Sequence, residues 1–247
     1  MRIEKFSLQR EYKIVCKTFM PENGSIKSVI LGVHGFAGDK ESSMLNQLAE
    51  EVVASGSALI CFDFPAHGES PANESELTIE NCKKDLLAVV EYINKKYPNT
   101  QKSIFATSFG GYISLLCYDI LAEYNYILRA PAITMPELLL NTVLKISANE
   151  FRTQGFCDCG FERKIRLSYS FYEELQLQED LMNKDYQRPI YIIHGERDDV
   201  VPPEVVLAFA NKHKNTELFW VKGADHRFKN LGEVETIVET TKRILGF

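Results

Sequence analysis

The sequence lacks the segments that mark membrane proteins and nucleic-acid-binding proteins. Its longest apolar stretches, such as Val29–Val33 and Ala58–Phe62, are far shorter than the roughly 20 residues of a membrane-spanning helix. The chain carries 28 Lys and Arg against 34 Asp and Glu, a net charge of −6, without a basic stripe. Because binding to phosphates requires clustered positive charge, we expect no nucleic-acid partner and no membrane span.

Cysteine is also scarce, with six residues scattered over 247 positions. That is too sparse for a disulfide framework, and Met1–Lys5 mixes charges without the apolar core of a secretory signal. We therefore expect a reduced, cytoplasmic protein. Cys157 and Cys159 form a C-x-C pair without a nearby histidine, which favours ordinary packing cysteines over a metal site. The sequence contains no H-E-x-x-H and no paired C-x-x-C, so we expect no metal and no cofactor.

Short apolar runs alternate with segments of helical period, a pattern typical of an α/β protein with a mostly parallel sheet. The runs Val29–Val33 and Ala58–Phe62 are almost continuously apolar, as strands buried on both faces should be. The predicted strands are Ile3–Gln9, Tyr12–Phe19, Ser28–His34, Ser57–Asp63, Lys102–Thr107, Tyr126–Ala130, Pro189–His194 and Glu217–Val221. The predicted helices lie near 41–54, 78–96, 110–122, 203–213 and 230–245.

One segment, from about 136 to 187, breaks this alternation. It shows helix-like pieces and no strand pattern, and about 50 residues are too many for a plain loop in a compact domain. We interpret it as a small helical cap inserted into one domain that spans residues 1–247. Most of its aromatic side chains should pack the cap onto the sheet, while one or two should face the site; the candidates are Phe151, Phe156, Phe161, Tyr169, Phe171 and Tyr172.

Ser108 lies between an apolar strand and a helix start, in Ala106-Thr107-Ser108-Phe109-Gly110. A nucleophilic serine must project from a sharp strand-to-helix turn, so the positions two before and two after it must be small. The helix N-terminus would stabilise a developing oxyanion. The same residues would also fit an ordinary serine N-cap followed by glycine, so this signal alone leaves both interpretations open.

Two further polar segments follow strands later in the chain. His194-Gly195-Glu196-Arg197-Asp198 ends a buried strand with carboxylates, and Gly223-Ala224-Asp225-His226 follows the last strand. Open α/β sheets place their sites at these strand ends. The acids could instead cap a helix, and the histidine could be an ordinary loop residue. The order Ser108, Asp198, His226 favours a catalytic set, with Asp199 and Asp225 as rivals for the acid.

Taken together, these segments resemble the α/β-hydrolase superfamily over nearly the whole chain. Within it the chain is similar to small bacterial feruloyl (cinnamoyl) esterases and monoacylglycerol-lipase-like enzymes. The matching motifs are His34-Gly35-Phe36, Asp63-Phe64-Pro65-Ala66-His67-Gly68-Glu69-Ser70, the turn at Ser108, His194-Gly195-Glu196-Arg197-Asp198 with Val201-Pro202, and Gly223-Ala224-Asp225-His226. The resemblance implies an α/β-hydrolase fold: a twisted sheet of about eight strands, helices on both faces and a short cap.

The resemblance also implies site roles. Ser108 would be the nucleophile, His226 the general base and then acid, and Asp198 the carboxylate that orients His226. The backbone N–H groups of Phe36 and Phe109 would form the oxyanion hole. Ala106 departs from the glycine usual two residues before the nucleophile.

These residues predict hydrolysis of a carboxylic ester, the compact cap suggests a small or medium acyl or aryl ester, and the resemblance suggests a hydroxycinnamate. Thioester or amide hydrolysis on the same triad is one alternative, since a triad does not define its substrate. An aminopeptidase would need a cap carboxylate to hold the substrate amine, with Glu150, Glu162, Glu173 and Glu174 as candidates. A non-catalytic binding protein on this scaffold is another alternative. The sequence leaves a homodimer open.

Overall fold

The fold is built around a large sheet. The computed structural model describes residues 1–22, 25–121, 123–160 and 163–247. Within them, eight strands form the large sheet and two form a small one. In chain order the strands are β1 (Arg2–Gln9), β2 (Lys13–Met20), β3 (Ser28–Val33), β4 (Ala58–Phe62), β5 (Gln101–Thr107), β6 (Asn125–Arg129), β7 (Phe156–Cys159), β8 (Ile165–Ser168), β9 (Ile190–Gly195) and β10 (Thr216–Val221).

The large sheet has the order β1-β2-β4-β3-β5-β6-β9-β10. The first two strands form an antiparallel hairpin at one edge, and β2 pairs antiparallel with β4. All further pairs, from β4 to β10, are parallel. The predicted mostly parallel sheet is therefore confirmed, and the carboxyl ends of β5, β9 and β10 lie along the same edge.

Helices cover both faces of this sheet. They are α1 (Ser43–Ala54), α2 (Ile79–Lys96), α3 (Phe109–Leu116), α4 (Met135–Leu138), a π-helical turn (Leu139–Leu144), α5 (Ala148–Gln154), α6 (Tyr169–Gln176), α7 (Pro203–Lys212) and α8 (Glu233–Leu245). Buried residues of α2, α3 and α7 belong to one apolar cluster, and those of α1 and α8 to a second. On β5, Ile104 and Ala106 join the first cluster while Phe105 joins the second, because successive side chains point to opposite faces.

The segment 136–187, which we predict as the cap, differs from expectation in one respect. It contains an antiparallel hairpin, β7 with β8, so the expectation of helical pieces alone is wrong. Cys159 and Leu167 are buried while Asp158 and Arg166 are exposed, the alternation of a two-sided strand pair. Each strand has only four residues, too few for the period to be distinguished from a helix in the sequence.

Across the described ranges, the longest apolar helical stretches fall short of what a bilayer crossing requires.

Candidate active site

Ser108 occupies a strained turn between β5 and α3. Its φ of 47° is rare for a residue with a side chain. Gly110 permits this turn, since a Cβ there would lie 2.4 Å from the carbonyl oxygen of His34. Ala106 is fully buried on β5, so its methyl group is accommodated in the core. The turn therefore presents the Ser108 hydroxyl at the sheet edge, as the sequence predicts.

His226 and Asp198 lie beside that hydroxyl, although 118 and 90 residues separate them from Ser108 along the chain. Nε2 of His226 is 3.1 Å from Oγ of Ser108, and its Nδ1 is 2.8 Å from Oδ2 of Asp198. The structure thus brings together the three predicted residues in a continuous hydrogen-bonded row. Such a row can move a proton from the hydroxyl to the imidazole while a carboxylate orients the ring.

Asp198 is held as an anion by its surroundings. Burial favours the neutral acid, but the hydrogen bond and charge of His226, with backbone donors, keep the pKa of this carboxyl below its ordinary value. Its Oδ1 accepts the N–H groups of Val200 and Val201 at 2.9 and 2.7 Å. The two rivals lie elsewhere: Asp199 is exposed, and Asp225 accepts two backbone N–H groups of its own loop.

His194 is a further neighbour of the acid, and the sequence shows it only as part of a motif. Its Nε2 lies 3.0 Å from the carbonyl oxygen of Val201 and 3.4 Å from Oδ2 of Asp198. Since a carbonyl can only accept, Nε2 carries the proton and points at both oxygens. Burial lowers the pKa of His194. This ring therefore braces the loop that carries Asp198.

The predicted oxyanion donors lie on two elements beside Ser108. Phe109 is the first residue of α3, so its N–H is one of the helix's free N-terminal donors. Phe36 lies in the loop after β3, and its ring contacts that of Phe109 with centroids 5.6 Å apart. The next residue, Ala37, has a φ of 59° and donates its N–H to Nε2 of His67 at 2.9 Å. The hydrogen bond to His67 therefore holds the loop that carries Phe36 in place.

A buried network of ion pairs and hydrogen bonds also holds the loop after β3, which carries Phe36 and Lys40. Nζ of Lys40 lies 2.7 Å from Oδ2 of Asp63, and both side chains are fully buried. The backbone N–H of Lys40 donates to the other oxygen of Asp63 at 2.8 Å, and that of Glu69 donates to Oδ2 at 2.8 Å. The carboxylate of Glu69 also accepts from Lys40. The sequence does not reveal this network, because its members are spread over 30 positions.

We expect Asp63→Asn to lower the free energy of unfolding by about 3–5 kcal/mol, because it removes the buried one of the two carboxylates that pair with the Lys40 ammonium and leaves only the half-exposed Glu69. Urea unfolding followed by circular dichroism measures this change. The matched control Asp39→Asn removes a less buried carboxylate, next to Lys40 in the loop after β3, and should cost much less. Equal losses for the two variants would contradict the structural role of the network.

His34 and His67 complete the support of this loop. Nε2 of His34 accepts the N–H of Phe64 at 3.1 Å, so both rings act as hydrogen-bond braces. Burial lowers the pKa of His34 to about 4 and that of His67 to about 3. Both rings are therefore neutral in the folded chain at neutral pH.

The lowered pKa values of His34 and His67 predict that the folded protein loses stability in acid. Below pH 6.5 the unfolded chain binds protons on these histidines and the folded chain does not, so stability present above pH 6.5 is lost progressively toward pH 4. Each histidine contributes at most about 1.4 kcal/mol per pH unit. Urea unfolding at pH 7, 6, 5 and 4.5 measures the slope. His67→Gln should make it shallower, and an unchanged slope would contradict this assignment.

A mainly apolar cavity of about 270 Å³ opens beside Ser108 and His226. Its lining comes from α4 and the π-helical turn, from Phe36 and Phe109, and from the segment after Asp198. The apolar lining is Phe36, Phe109, Ala132, Met135, Leu138, Leu139, Val143, Val200 and Val201. Asp199 and Lys145 are the charged residues of the lining.

A second cavity of about 550 Å³ adjoins Ser108 on its other side. Its lining includes Thr107, Arg129 and the loop that follows His226. The guanidinium of Arg129 donates to the carbonyl oxygens of His226 and Arg227 and lies 4.5 Å from the ring centre of Phe228. Phe36, Ser108 and His226 line both cavities, so the two spaces meet at Ser108.

The cap contributes to the site differently from what the sequence suggests. Its described aromatic residues do not line the cavity beside Ser108, so the expectation that one or two face the site is wrong for them. Phe171 packs behind Phe36 and Phe109, and Phe156 is exposed. Gly160 lines the cavity instead. A Cβ at this position would lie only 2.8 Å from that of Ala37, so a side chain here would clash. Phe161 lies outside the described residues.

Two of the four carboxylates suggested for binding a substrate amine make contacts elsewhere. Glu150 accepts from Ser147 in a capping box, and Glu174 accepts the N–H of Ile79 at the start of α2. Glu173 is absent from the lining of the cavity beside Ser108, and Glu162 lies outside the described residues. Over the described part of the chain, no grouping of histidine, cysteine and acidic side chains could hold a metal ion.

The sheet order and the serine turn after β5 define an α/β-hydrolase, and comparison with known proteins agrees. The model of the serine aminopeptidase (S33) family matches residues 24–156, more than half of the chain. The protein therefore belongs to this family of serine hydrolases. The matched part includes Ser108 and Phe36 but ends before Asp198 and His226.

Relatives carry esterase and thioesterase names. The chain is 24% identical over 195 residues to the mitochondrial palmitoyl-protein thioesterase ABHD10 of Pongo abelii, covering 75% of this chain and 62% of that protein. The chain thus spans about three fifths of that relative's length. Est1E from Butyrivibrio proteoclasticus, solved with ferulic acid bound, superposes with a TM-score of 0.85 at 23% identity over 97% of each chain. Mouse ABHD10 superposes at 0.80 with 19% identity over 98% of each.

Proposed function

We propose that this chain forms one hydrolase domain that cleaves carboxylic esters through an acyl-serine intermediate. The hydrogen-bonded row of Ser108, His226 and Asp198 carries the proposal. His226 takes the proton of Ser108 as its oxygen attacks the ester carbonyl, and Asp198 stabilises the imidazolium that forms. The N–H groups of Phe36 and Phe109 stabilise the oxyanion. His226 then protonates the leaving alcohol, and water releases the acid by the same steps.

The proposed acyl group is small or medium-sized, aliphatic or aromatic. The cavity of about 270 Å³ beside Ser108 lies just below the roughly 300–1,000 Å³ of usual ligand pockets, and its lining is mainly apolar. A hydroxycinnamoyl group fits this description, and Est1E, which has been solved with ferulic acid, has the same fold. The larger cavity, of about 550 Å³, which Ser108 also lines, would receive the leaving group.

Thioester hydrolysis is the second candidate, because the curated relatives are palmitoyl-protein thioesterases. The same residues would serve this reaction. In both cases Ser108 attacks a carbonyl carbon, an oxyanion forms, and the intermediate then expels the leaving group. The mainly apolar cavity of about 270 Å³ beside Ser108 and His226 is here called the acyl cavity. Its volume favours a short acyl group over a long one in either reaction.

A panel of substrates tests the proposal and separates the two candidates. Methyl ferulate, p-nitrophenyl butyrate, a monoacylglycerol and the butyryl thioester of a small thiol are compared by kcat/KM, with an aminoacyl arylamide for amide cleavage. We expect the short or aryl oxygen esters to be cleaved fastest. Preference for the thioester would select the second candidate. Failure of every substrate would favour a non-catalytic binding protein.

The setting of the protein is also part of the proposal. All six cysteines are free thiols, which is consistent with a reducing compartment such as the cytoplasm. Cys157 and Cys159 lie on β7 of the cap hairpin, where Cys159 is buried in the larger apolar cluster.

A further inference from the structure

Arg129 connects the turn that carries Ser108 with the loop that carries His226. It is the last residue of β6, between β5 and β9, and its backbone carbonyl oxygen accepts the N–H of Ser108 at 2.9 Å. Its Nη2 donates to the carbonyl oxygens of His226 and Arg227 in the loop after β10, at 3.4 and 3.1 Å. One residue therefore contacts the backbone at both ends of the 3.1 Å distance between Oγ of Ser108 and Nε2 of His226.

The loop after β10 contains a residue in a strained conformation. Phe228 has a φ of 54°, in the left-handed region that a bulky residue rarely adopts. Its ring is buried in the second apolar cluster, with the guanidinium carbon of Arg129 4.5 Å from the ring centre. A strained residue of this kind persists only where its surroundings fix it. The guanidinium supplies part of that constraint, because it contacts this ring and the carbonyl groups of the two residues before it.

Asp225 holds the same loop through its N–H groups. Its Oδ1 accepts the N–H groups of Arg227 and Phe228 at 2.8 and 3.0 Å. These N–H groups thus pair with a carboxylate, while two carbonyl groups of the loop pair with a guanidinium. Asp225 belongs to the loop itself, whereas Arg129 belongs to the sheet. Of the two, it is therefore Arg129 that can fix the loop relative to Ser108.

The charge and shape of the guanidinium suit this task. Burial lowers the pKa of Arg129 to about 10, and the charges of Asp198 and Asp225 oppose this shift, so the group is cationic at neutral pH. Hydrogen bonds from a cation are stronger than those from a neutral donor. The guanidinium is also a planar group with several donors in fixed positions, which the single ammonium of lysine does not reproduce. We therefore expect lysine to replace Arg129 only in part.

We propose that Arg129 is a positioning residue, which fixes the His226 loop against β6 and so keeps Nε2 of His226 within proton-transfer distance of Ser108. This role rests on the proposed function, since it concerns the same nucleophile and base. A misplacement of about 1 Å can cost about 100-fold in rate. Arg129 also lines the cavity assigned to the leaving group. A mere contact with the bound ester would appear in KM, whereas a misplaced base lowers kcat.

Arg129→Ala and Arg129→Lys test this role with p-nitrophenyl butyrate and with a fluorophosphonate, whose fluoride leaving group is smaller than any alcohol. For Arg129→Ala we expect kcat to fall at least about tenfold, KM to stay within about threefold, and labelling of Ser108 to slow in parallel with kcat. Arg129→Lys should lose less in kcat and keep the Tm. The matched control Arg243→Ala removes a guanidinium 5.1 Å from the ring centre of Phe219, at an exposed position of α8, and should change neither rate.

Failure of the positioning role differs from failure of the proposed function. If the unchanged protein neither cleaves the ester nor reacts with the fluorophosphonate, the proposed function fails. If it does both, then unchanged kcat and labelling in Arg129→Ala, a rise in KM alone, or equal losses in Arg243→Ala would overturn only the role of Arg129. Should Arg129→Ala not fold, Arg129→Lys decides: a lower kcat at an unchanged Tm supports the role, and a full kcat overturns it.

Discussion

Replacing Ser108 by alanine should lower kcat for p-nitrophenyl butyrate by at least about 10⁴-fold, because a methyl group cannot attack the carbonyl. The residual rate would come from the oxyanion donors and from substrate binding alone. Stopped and continuous assays of the released p-nitrophenol measure both rates. Because the φ of 47° at this position suits alanine no better than serine, folding should be nearly unchanged.

Ser114→Ala is the matched control for this variant. Ser114 lies on the same helix, is fully buried, and donates its hydroxyl to the carbonyl oxygen of Gly110 at 2.7 Å. We expect it to cost about 1 kcal/mol of stability through the lost hydrogen bond while kcat stays within a few-fold. If both variants lost activity equally, the loss would reflect the helix rather than the nucleophile.

Replacing Asp198 by asparagine should lower kcat by about 10⁴-fold, because an amide no longer stabilises the imidazolium and can favour the wrong tautomer of His226. The two N–H groups of Val200 and Val201 would keep the side-chain oxygen in place, so the geometry should survive. Kinetics with p-nitrophenyl butyrate measure this effect.

The neighbouring Asp199→Asn makes the same chemical change at an exposed lining position of the acyl cavity. We expect it to alter KM more than kcat, since the ring of His226 pairs with Asp198 and Ser108 and makes no hydrogen bond or ion pair with Asp199. A large fall in kcat for Asp199→Asn, with Asp198→Asn nearly active, would transfer the role of the acid to Asp199.

The sequence predicts the sheet well because its strands carry strong local signals. Apolar runs such as Ala58–Phe62 are bounded by polar turns, so the predicted ends of β4 differ from the observed ones by a residue. The turn at Ser108 is equally local, since Gly110 follows two positions later and the strand precedes it directly. The order Ser108, Asp198, His226 along the chain then indicates which acid and which histidine lie beside Ser108.

Other features depend on contacts that the sequence does not encode locally. Lys40 and Asp63 are 23 positions apart, and nothing in either segment indicates that they form a buried pair. The cap hairpin depends on Gly160, whose φ of 110° allows close approach to the loop after β3. The acyl cavity is formed by α4 and the π-helical turn rather than by cap aromatics, because tertiary packing turns Phe171 toward the interior.

Covalent trapping tests the central claim, a nucleophilic Ser108, most directly. The folded protein is treated with a fluorophosphonate, digested and analysed by mass spectrometry, with the Ser108→Ala and Ser114→Ala variants alongside. We expect a single phosphonyl adduct on Ser108, formed as esterase activity disappears, present in Ser114→Ala and absent from Ser108→Ala. Turnover of p-nitrophenyl butyrate with Ser108 unmodified, or an adduct on another residue that abolishes activity, would contradict the assignment.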